Sequence, residues 1–338
     1  MIAEKAGVSK RTVHAVLRNN TGKHIRVSAP TAERILTIAK ESGYVALKSA
    51  REMYSGRSNN IGIIFHKIVP PFSEMVSRLQ QEALQRNLEI TPYITNMKPD
   101  LEEYYLNAAR DGRVDAVMTT ASLDGSIERY QRFTKPPYNL KILYYGEPIV
   151  PGVPSIHFDA TSAGKLAARH LTEIGCRKPA FFGGIKNTAR EKGFIGYFKE
   201  KRLPVPLSIF TRQSQQAYSF PEAKVLVREF LKLKDLPDGI FVSNDLLAVA
   251  LLSEASRKGI RIPEDMAIVG CDNTDLGFCT TPTLTTIDTN IPLLAKKAIG
   301  KIEAMIKGTP PKPFHTSVPV SLVVRESTGR TGEGEGKR

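Results

Sequence analysis

The sequence predicts an α/β protein in two parts: a small all-α helix-turn-helix head and a two-lobed body of doubly wound parallel sheets. Three observations predict it. From Ile61 onward, short apolar runs alternate with amphipathic stretches, as βαβ units around a parallel sheet do. That alternation restarts after Pro154, which implies two similar lobes with a cleft between them. Ahead of both, residues 1–60 carry 11 Lys and Arg against 4 Asp and Glu, half of the chain's net charge of +14.

A length of 338 residues fits two or three structural units, and 41% hydrophobic with 24% charged residues is ordinary for a globular chain. The concentration of positive charge points to a polyanion partner; a merely well-solvated basic surface is the alternative. Cys176, Cys271 and Cys279 are odd in number and form no C-x-x-C, so neither a disulfide framework nor a zinc site is indicated. The six histidines are scattered without metal-ligand spacing, and no cofactor fingerprint occurs. Gly183-Gly184 lacks the rest of a phosphate-binding loop and reads as a turn. No apolar run reaches about 18 residues and no signal-peptide core stands at the start, so a soluble, cytoplasmic protein is expected.

Residues 2–6 read as a short helix stopped by Gly7, with Val8 and Ser9 as the turn into a second helix. In that second helix Val13, Val16 and Leu17 fall on one arc at about 100° per residue. Lys10, Arg11, His14 and Arg18 fall on another, and the Ser9 hydroxyl is placed to take a free first-turn amide. Helix, short turn, helix is the arrangement that sets a second helix into a DNA major groove. A polar loop follows from Asn19. Ser28 is expected to cap a third helix, with Pro30 in its first turn, Ile35, Ile38 and Ala39 on one side, and Gly43 ending it. Ala46–Tyr54 has the length of two helical turns, and 55–60 (Ser-Gly-Arg-Ser-Asn-Asn) reads as a linker.

In the body, Ile61–Phe65 reads as a buried strand, Phe72–Gln85 as an amphipathic helix and Glu89–Thr95 as a strand. A helix at 100–110 leads to a strand at Ala116–Met118, and another strand follows at Ile142–Tyr145. After Pro154 come a helix at Ser162–Ile174, a strand at Ala180–Phe182 and a helix at Arg190–Glu200. A helix at 221–233 then leads to the strand Gly239–Val242, and a helix at 246–257 to the strand Ala267–Val269. Residues 329–338, rich in Gly, Glu, Lys and Arg, read as a disordered tail.

Several of these segments together resemble the lactose-repressor-type (LacI/GalR) family of transcription regulators. The likeness rests on Ala6-Gly7-Val8-Ser9-x-x-Thr12-Val13 and Glu41-Ser42-Gly43-Tyr44 in the head. In the body it rests on Gly164-x-x-Ala167-x-x-His170-Leu171-x-x-Ile174-Gly175 and Asn244-Asp245-x-x-Ala248. It continues through Gly259-x-x-Ile262-Pro263-Glu264-Asp265-x-x-Ile268-Val269-Gly270-x-Asp272, Leu284–Ile287 and Val323-x-Arg325-Glu326-Ser327. The resemblance implies a periplasmic-binding-protein-like body and a homodimer whose heads bind neighbouring half-sites of a near-palindromic double-stranded DNA operator. It implies these divisions: head 1–45, hinge helix and linker 46–60, and body 61–328. Within the body, one lobe would hold 61–158 and 290–316, the other 159–288 and 317–328.

The resemblance also implies site residues. Lys10 and Arg11 stand at base-reading positions, where either side chain can donate to guanine, although simple phosphate attraction is the alternative. Ala15 stands at a third reading position, able at most to touch a thymine methyl. Ser9 is expected among the DNA-binding residues, and Thr12 and His14 at the phosphates, with a solvated surface histidine as the alternative for His14. In the hinge, Ala50 and Met53 are expected in the minor groove, Met53 as an apolar wedge in a base step. Its alternative is packing on the head or body. Ala46 replaces a frequent Pro, and Glu52 brings a negative charge close to phosphates, so Glu52→Ser is expected to raise operator affinity.

In the cleft, Phe72, Arg190, Asn244 and Asp272 are expected to hold a small effector. One cationic fork, one amide and one carboxylate suit a polyhydroxy molecule such as a sugar. Capping is the alternative for Asn244 and Asp272, a core role for Phe72. Gly146 lies close to where many members carry an acidic residue. The expected function is a ligand-responsive repressor and not an enzyme. The rivals are a solute-binding protein of the same body fold and an enzyme on a doubly wound fold.

Overall fold

The computed structural model describes residues 1–17, 27–43, 57–120, 125–183, 186, 188–210 and 219–329. The chain divides into two compact units, Met1–Asn59 and Asn60–Arg338. Arg18, the hinge segment with Ala46, Ala50, Glu52 and Met53, and the tail from Arg330 lie outside the described residues.

The first unit contains α1 (Ile2–Lys5), α2 (Lys10–Leu17) and α3 (Ala29–Glu41). Gly7, between α1 and α2, and Gly43, after α3, both have a φ of +62°, the left-handed turn that glycine adopts without a Cβ penalty. The three helices close over Ile2, Ala6, Val13, Val16, Ile35 and Ala39, with Ile38 and Leu17 packed at the margin. The apolar arc of α2 is thus the surface that binds it to its neighbours. Ser28 sits at the N-cap of α3, but its hydroxyl pairs with that of Thr31 at 2.8 Å rather than with a first-turn amide. The expected Ser28 cap is therefore corrected to a hydroxyl–hydroxyl contact.

The second unit holds two six-stranded sheets. The first contains β1 (Asn60–Phe65), β2 (Glu89–Ile94), β3 (Ala116–Thr119), β4 (Ile142–Tyr145), β5 (Ser155–Phe158) and β11 (His315–Val318). Their order is β11-β5-β4-β3-β1-β2, with every pairing parallel. The second contains β6 (Pro179–Gly183), β7 (Leu207–Phe210), β8 (Gly239–Val242), β9 (Ala267–Cys271), β10 (Thr285–Asp288) and β12 (Ser321–Val323). Its order is β12-β10-β9-β8-β6-β7, antiparallel only between β10 and β12. Strands β3, β8 and β9 are buried end to end and β1 everywhere but Asn60, which matches their apolar runs.

The chain passes between lobes after β5, after β10 and again between β11 and β12. The first sheet is covered by α4 (Phe72–Leu84), α5 (Pro99–Ala108), α6 (Ser126–Thr134) and, from far along the chain, α11 (Ile291–Ile306). The second is covered by α7 (Ala160–Glu173), α8 (Ala189–Glu200), α9 (Phe220–Phe230) and α10 (Asp245–Arg257). Helices α7 and α8 touch backbone to backbone: a Cβ at Gly164 would strike the Arg190 carbonyl, and one at Gly193 the Thr161 carbonyl.

Candidate functional site

In the head, the Ser9 hydroxyl accepts the Thr12 amide at 3.1 Å and meets the Thr12 hydroxyl at 2.9 Å. This cap satisfies one of the free N–H groups of α2 and fixes where the helix begins. Lys10, Arg11 and His14 are all exposed, on the side away from Val13 and Val16. Ala15 does not join them. It is 9% exposed and lies outside the apolar cluster that joins the three helices, which leaves little of its methyl open. The Thr12 hydroxyl is engaged by the cap.

The second site lies between the two sheets of the body. A cleft of about 660 Å³ opens at the carboxyl ends of the strands, where open α/β sheets bind ligands. From the first lobe come His66 after β1, Thr120 after β3, Tyr145 at the end of β4 and His157 and Phe158 from β5; Phe72 stands at the start of α4. From the second come Arg190 in the first turn of α8, Asn244 after β8 and Asp272 after β9. The four residues expected from the sequence, Phe72, Arg190, Asn244 and Asp272, are therefore brought together around one cavity from far-apart positions in the chain.

Their environments differ. The Arg190 guanidinium donates to the Ser243 carbonyl, and its carbon lies 5.1 Å from the centroid of Phe158, a residue of the other lobe. Asp272 is buried at a φ of +122°, a conformation that costs a non-glycine residue free energy, and its amide donates to the Ile287 carbonyl at 2.9 Å. Burial pushes the Asp272 carboxyl up to about 8, against the pull of Arg190. Asn244 caps α10: its Oδ1 accepts the Leu247 amide at 2.8 Å, which leaves the side-chain NH₂ as the group facing outward from the cap. Phe72 packs against the lobe core and also lines the cleft, 5.2 Å from Phe65 and edge-on to Tyr145 at 6.4 Å. For Asn244 and Phe72 the structural and the cleft-lining positions coexist.

Other cleft residues belong to no sequence motif. His66 is buried, with its ring nitrogens 2.9 Å from the Thr95 hydroxyl and 3.2 Å from the Thr120 hydroxyl. Burial holds its imidazole below the ordinary histidine range. Burial also raises the Tyr145 phenol, and the Asp272 carboxylate adds to the effect from across the cleft. Gly146 has no side chain to offer, but the next residue, Glu147, lines the cleft with its Oε2 3.5 Å from His157 Nε2. One rule finds most of these residues in the sequence: the position just past each strand of an α/β repeat faces the crevice. Among the described residues no group of His, Cys, Asp and Glu is placed to hold a metal, and no helix is long and apolar enough to cross a membrane.

Residues 2–46 match the bacterial regulatory proteins of the lacI family, and residues 168–328 match the periplasmic binding protein-like domain. The regulator DegA of Bacillus subtilis is 27% identical over 336 residues, which covers 97% of this chain and 96% of that protein. The ribose operon repressor of Halalkalibacterium halodurans is 28% identical over 329 residues, covering 97% and 96%. In structure, a lac repressor dimer bound to operator and an anti-inducer superposes with a TM-score of 0.81 at 22% identity, covering 97% of both chains. That last likeness concerns the fold. With a lacI-type head at 2–46, a periplasmic-binding-like domain at 168–328 and regulators similar along nearly its whole length, this chain has the domain make-up of the lacI family of bacterial regulatory proteins.

Proposed function

We propose that this protein is a ligand-responsive, sequence-specific DNA-binding regulator, acting as a repressor on a near-palindromic operator as a homodimer. The observation that carries the reading is that one chain holds both parts of such a device. It has an exposed Lys10–Arg11–His14 face on a capped helix-turn-helix, and a two-lobed cleft lined by both Arg190 and Asp272. In this reading Lys10 and Arg11 donate to base edges, and cationic attraction to phosphates supplies most of the salt-dependent affinity. The cleft takes a small polyhydroxy molecule, a sugar or its derivative. The Asp272 carboxyl and the Asn244 amide meet its hydroxyls, and Phe72 and Phe158 offer apolar faces.

Regulation follows from linkage. A ligand that prefers one arrangement of the lobes shifts the population toward it, and DNA and ligand then weaken or strengthen each other by the same factor. The relatives named above are a transcriptional regulator and an operon repressor, which supports this reading over an enzyme on the same fold. A solute-binding protein has no use for the cationic head.

The test is selection of bound sequences from random duplex DNA with the full chain, followed by fluorescence anisotropy on the selected site with and without a panel of sugars. A salt-sensitive, sequence-dependent complex that one sugar shifts supports the proposal. Absence of sequence preference at moderate salt would sink it.

A further inference from the structure

The second lobe has another cavity, at the end of its sheet opposite the cleft. It measures about 530 Å³, within the range of small-molecule sites. Its apolar lining comes from Val205, Leu207 and Ile209 on and before β7, the outer strand of the sheet, and from Leu233 and Leu236 in the loop ahead of β8. Leu207 is 72% exposed and Val205 56%, so the lining is open to solvent.

The charges around it are unbalanced. Among the described residues, Arg177, Lys178 and Lys234 line the cavity, with Asp235 as the one lining carboxylate. Asp235 is already spent on Lys178, which it meets through both oxygens at 2.9 and 3.0 Å. Asp238 holds the loop from behind, accepting the backbone amides of Arg177 and Lys178 at 2.7 Å each. Among the described residues, Arg177 and Lys234 are then left without an acidic partner. The Arg177 loop is preorganised, because Asp238 fixes the backbone that carries it.

We infer that this cavity is a second ligand site, which takes an amphipathic organic anion: a carboxylate on an apolar, ring-sized body. The carboxylate reaches Arg177 and Lys234, where a guanidinium offers a charge-assisted contact, and the apolar body covers Leu207, Leu233 and Val205. The site is separate from the effector cleft, which lies at the other ends of the same strands.

Isothermal titration of the full chain with 2-naphthoate, 2-naphthalenemethanol and 2-naphthylmethylamine tests it. Naphthoate is expected to bind saturably, one per chain, about tenfold more tightly than the alcohol and more tightly still than the amine. Arg177→Gln with Lys234→Gln, both at exposed positions, is expected to bring naphthoate down to the alcohol's affinity. Leu207→Ser is expected to weaken both, and Arg190→Gln in the cleft to change neither. Equal affinity for acid and amine, no saturable binding, or loss of binding in Arg190→Gln would each overturn the inference.

Discussion

Gly193 and Gly196 lie three residues apart in the same helix, and the same substitution is predicted to act on them with opposite sign. At Gly196 a Cβ would meet nothing within 4 Å. Alanine there removes the entropic cost of a helical glycine and is expected to stabilise by about 0.5–1 kcal/mol. At Gly193 the Cβ would meet the Thr161 carbonyl of the neighbouring helix, a backbone atom that no rotamer change can move aside. The same gain in propensity is there offset by an overpacking cost of about 2–3 kcal/mol, the upper end of the usual range because the obstacle is backbone, so the net effect is destabilising by about 1–2 kcal/mol. Circular dichroism in urea reads both, and suits a chain without tryptophan. For a unit of this size the midpoints of thermal unfolding should separate by roughly 5 °C or more. There is a functional consequence as well. Arg190 stands one turn before Gly193, so any displacement of α8 carries the guanidinium away from the cleft and ligand affinity falls. If Gly193→Ala stabilises as Gly196→Ala does, the close approach of α7 and α8 does not constrain the site, and the reasoning fails.

Asp272 carries a pH prediction. With a folded value of about 8 against an ordinary 3.8, the folded protein keeps a proton that the unfolded chain has released, so stability falls as pH rises between about 4 and 8. Asp272→Asn should therefore raise stability by a few kcal/mol at pH 8, counted at about 1.4 kcal/mol per unit, and by little at pH 4; a pH-independent difference in urea midpoints refutes this. In the head, Lys10→Ala and Arg11→Ala should each weaken the selected operator by about 1–3 kcal/mol in anisotropy titrations and relax the preference at one base pair. A uniform loss across all sequences would instead make the side chain a phosphate contact. Asn244→Ala should cost about 1 kcal/mol of stability by removing the cap of α10, which Asn244→Asp retains. Ligand affinity of the Asp variant then reports whether the NH₂ group matters.

The elements that were legible in the chain share one property: the interactions that form them are local. The Ser9 cap, the apolar arc of α2 and the glycine stop after α3 all depend on residues a few positions apart, and so do the continuous apolar runs of β1, β8 and β9. The segments that went unread are short or polar on their own. Strands β5, β11 and β12 read Ser-Ile-His-Phe, His-Thr-Ser-Val and Ser-Leu-Val, and become strands through their place beside a partner. Helix α6 is strongly polar and β7 is an outer strand in which Leu207 is exposed and the other residues are half-buried. Helix α11 has a legible apolar stripe through Leu294, Ala298 and Ile302, but its return to the first lobe is written in no local pattern.

The sequence by itself determined the fold class, the cationic face of the head and, through its family likeness, the four cleft residues. Tertiary structure decided the rest. It set Tyr145 opposite Asp272 and buried His66 between Thr95 and Thr120, and it placed Glu147 in the cleft. The physical reason is that desolvation and cross-lobe contact belong to pairs of residues tens to hundreds of positions apart. Whether a carboxyl such as Asp272 is charged at neutral pH depends on what closes over it, and that is known only once the two sheets face each other.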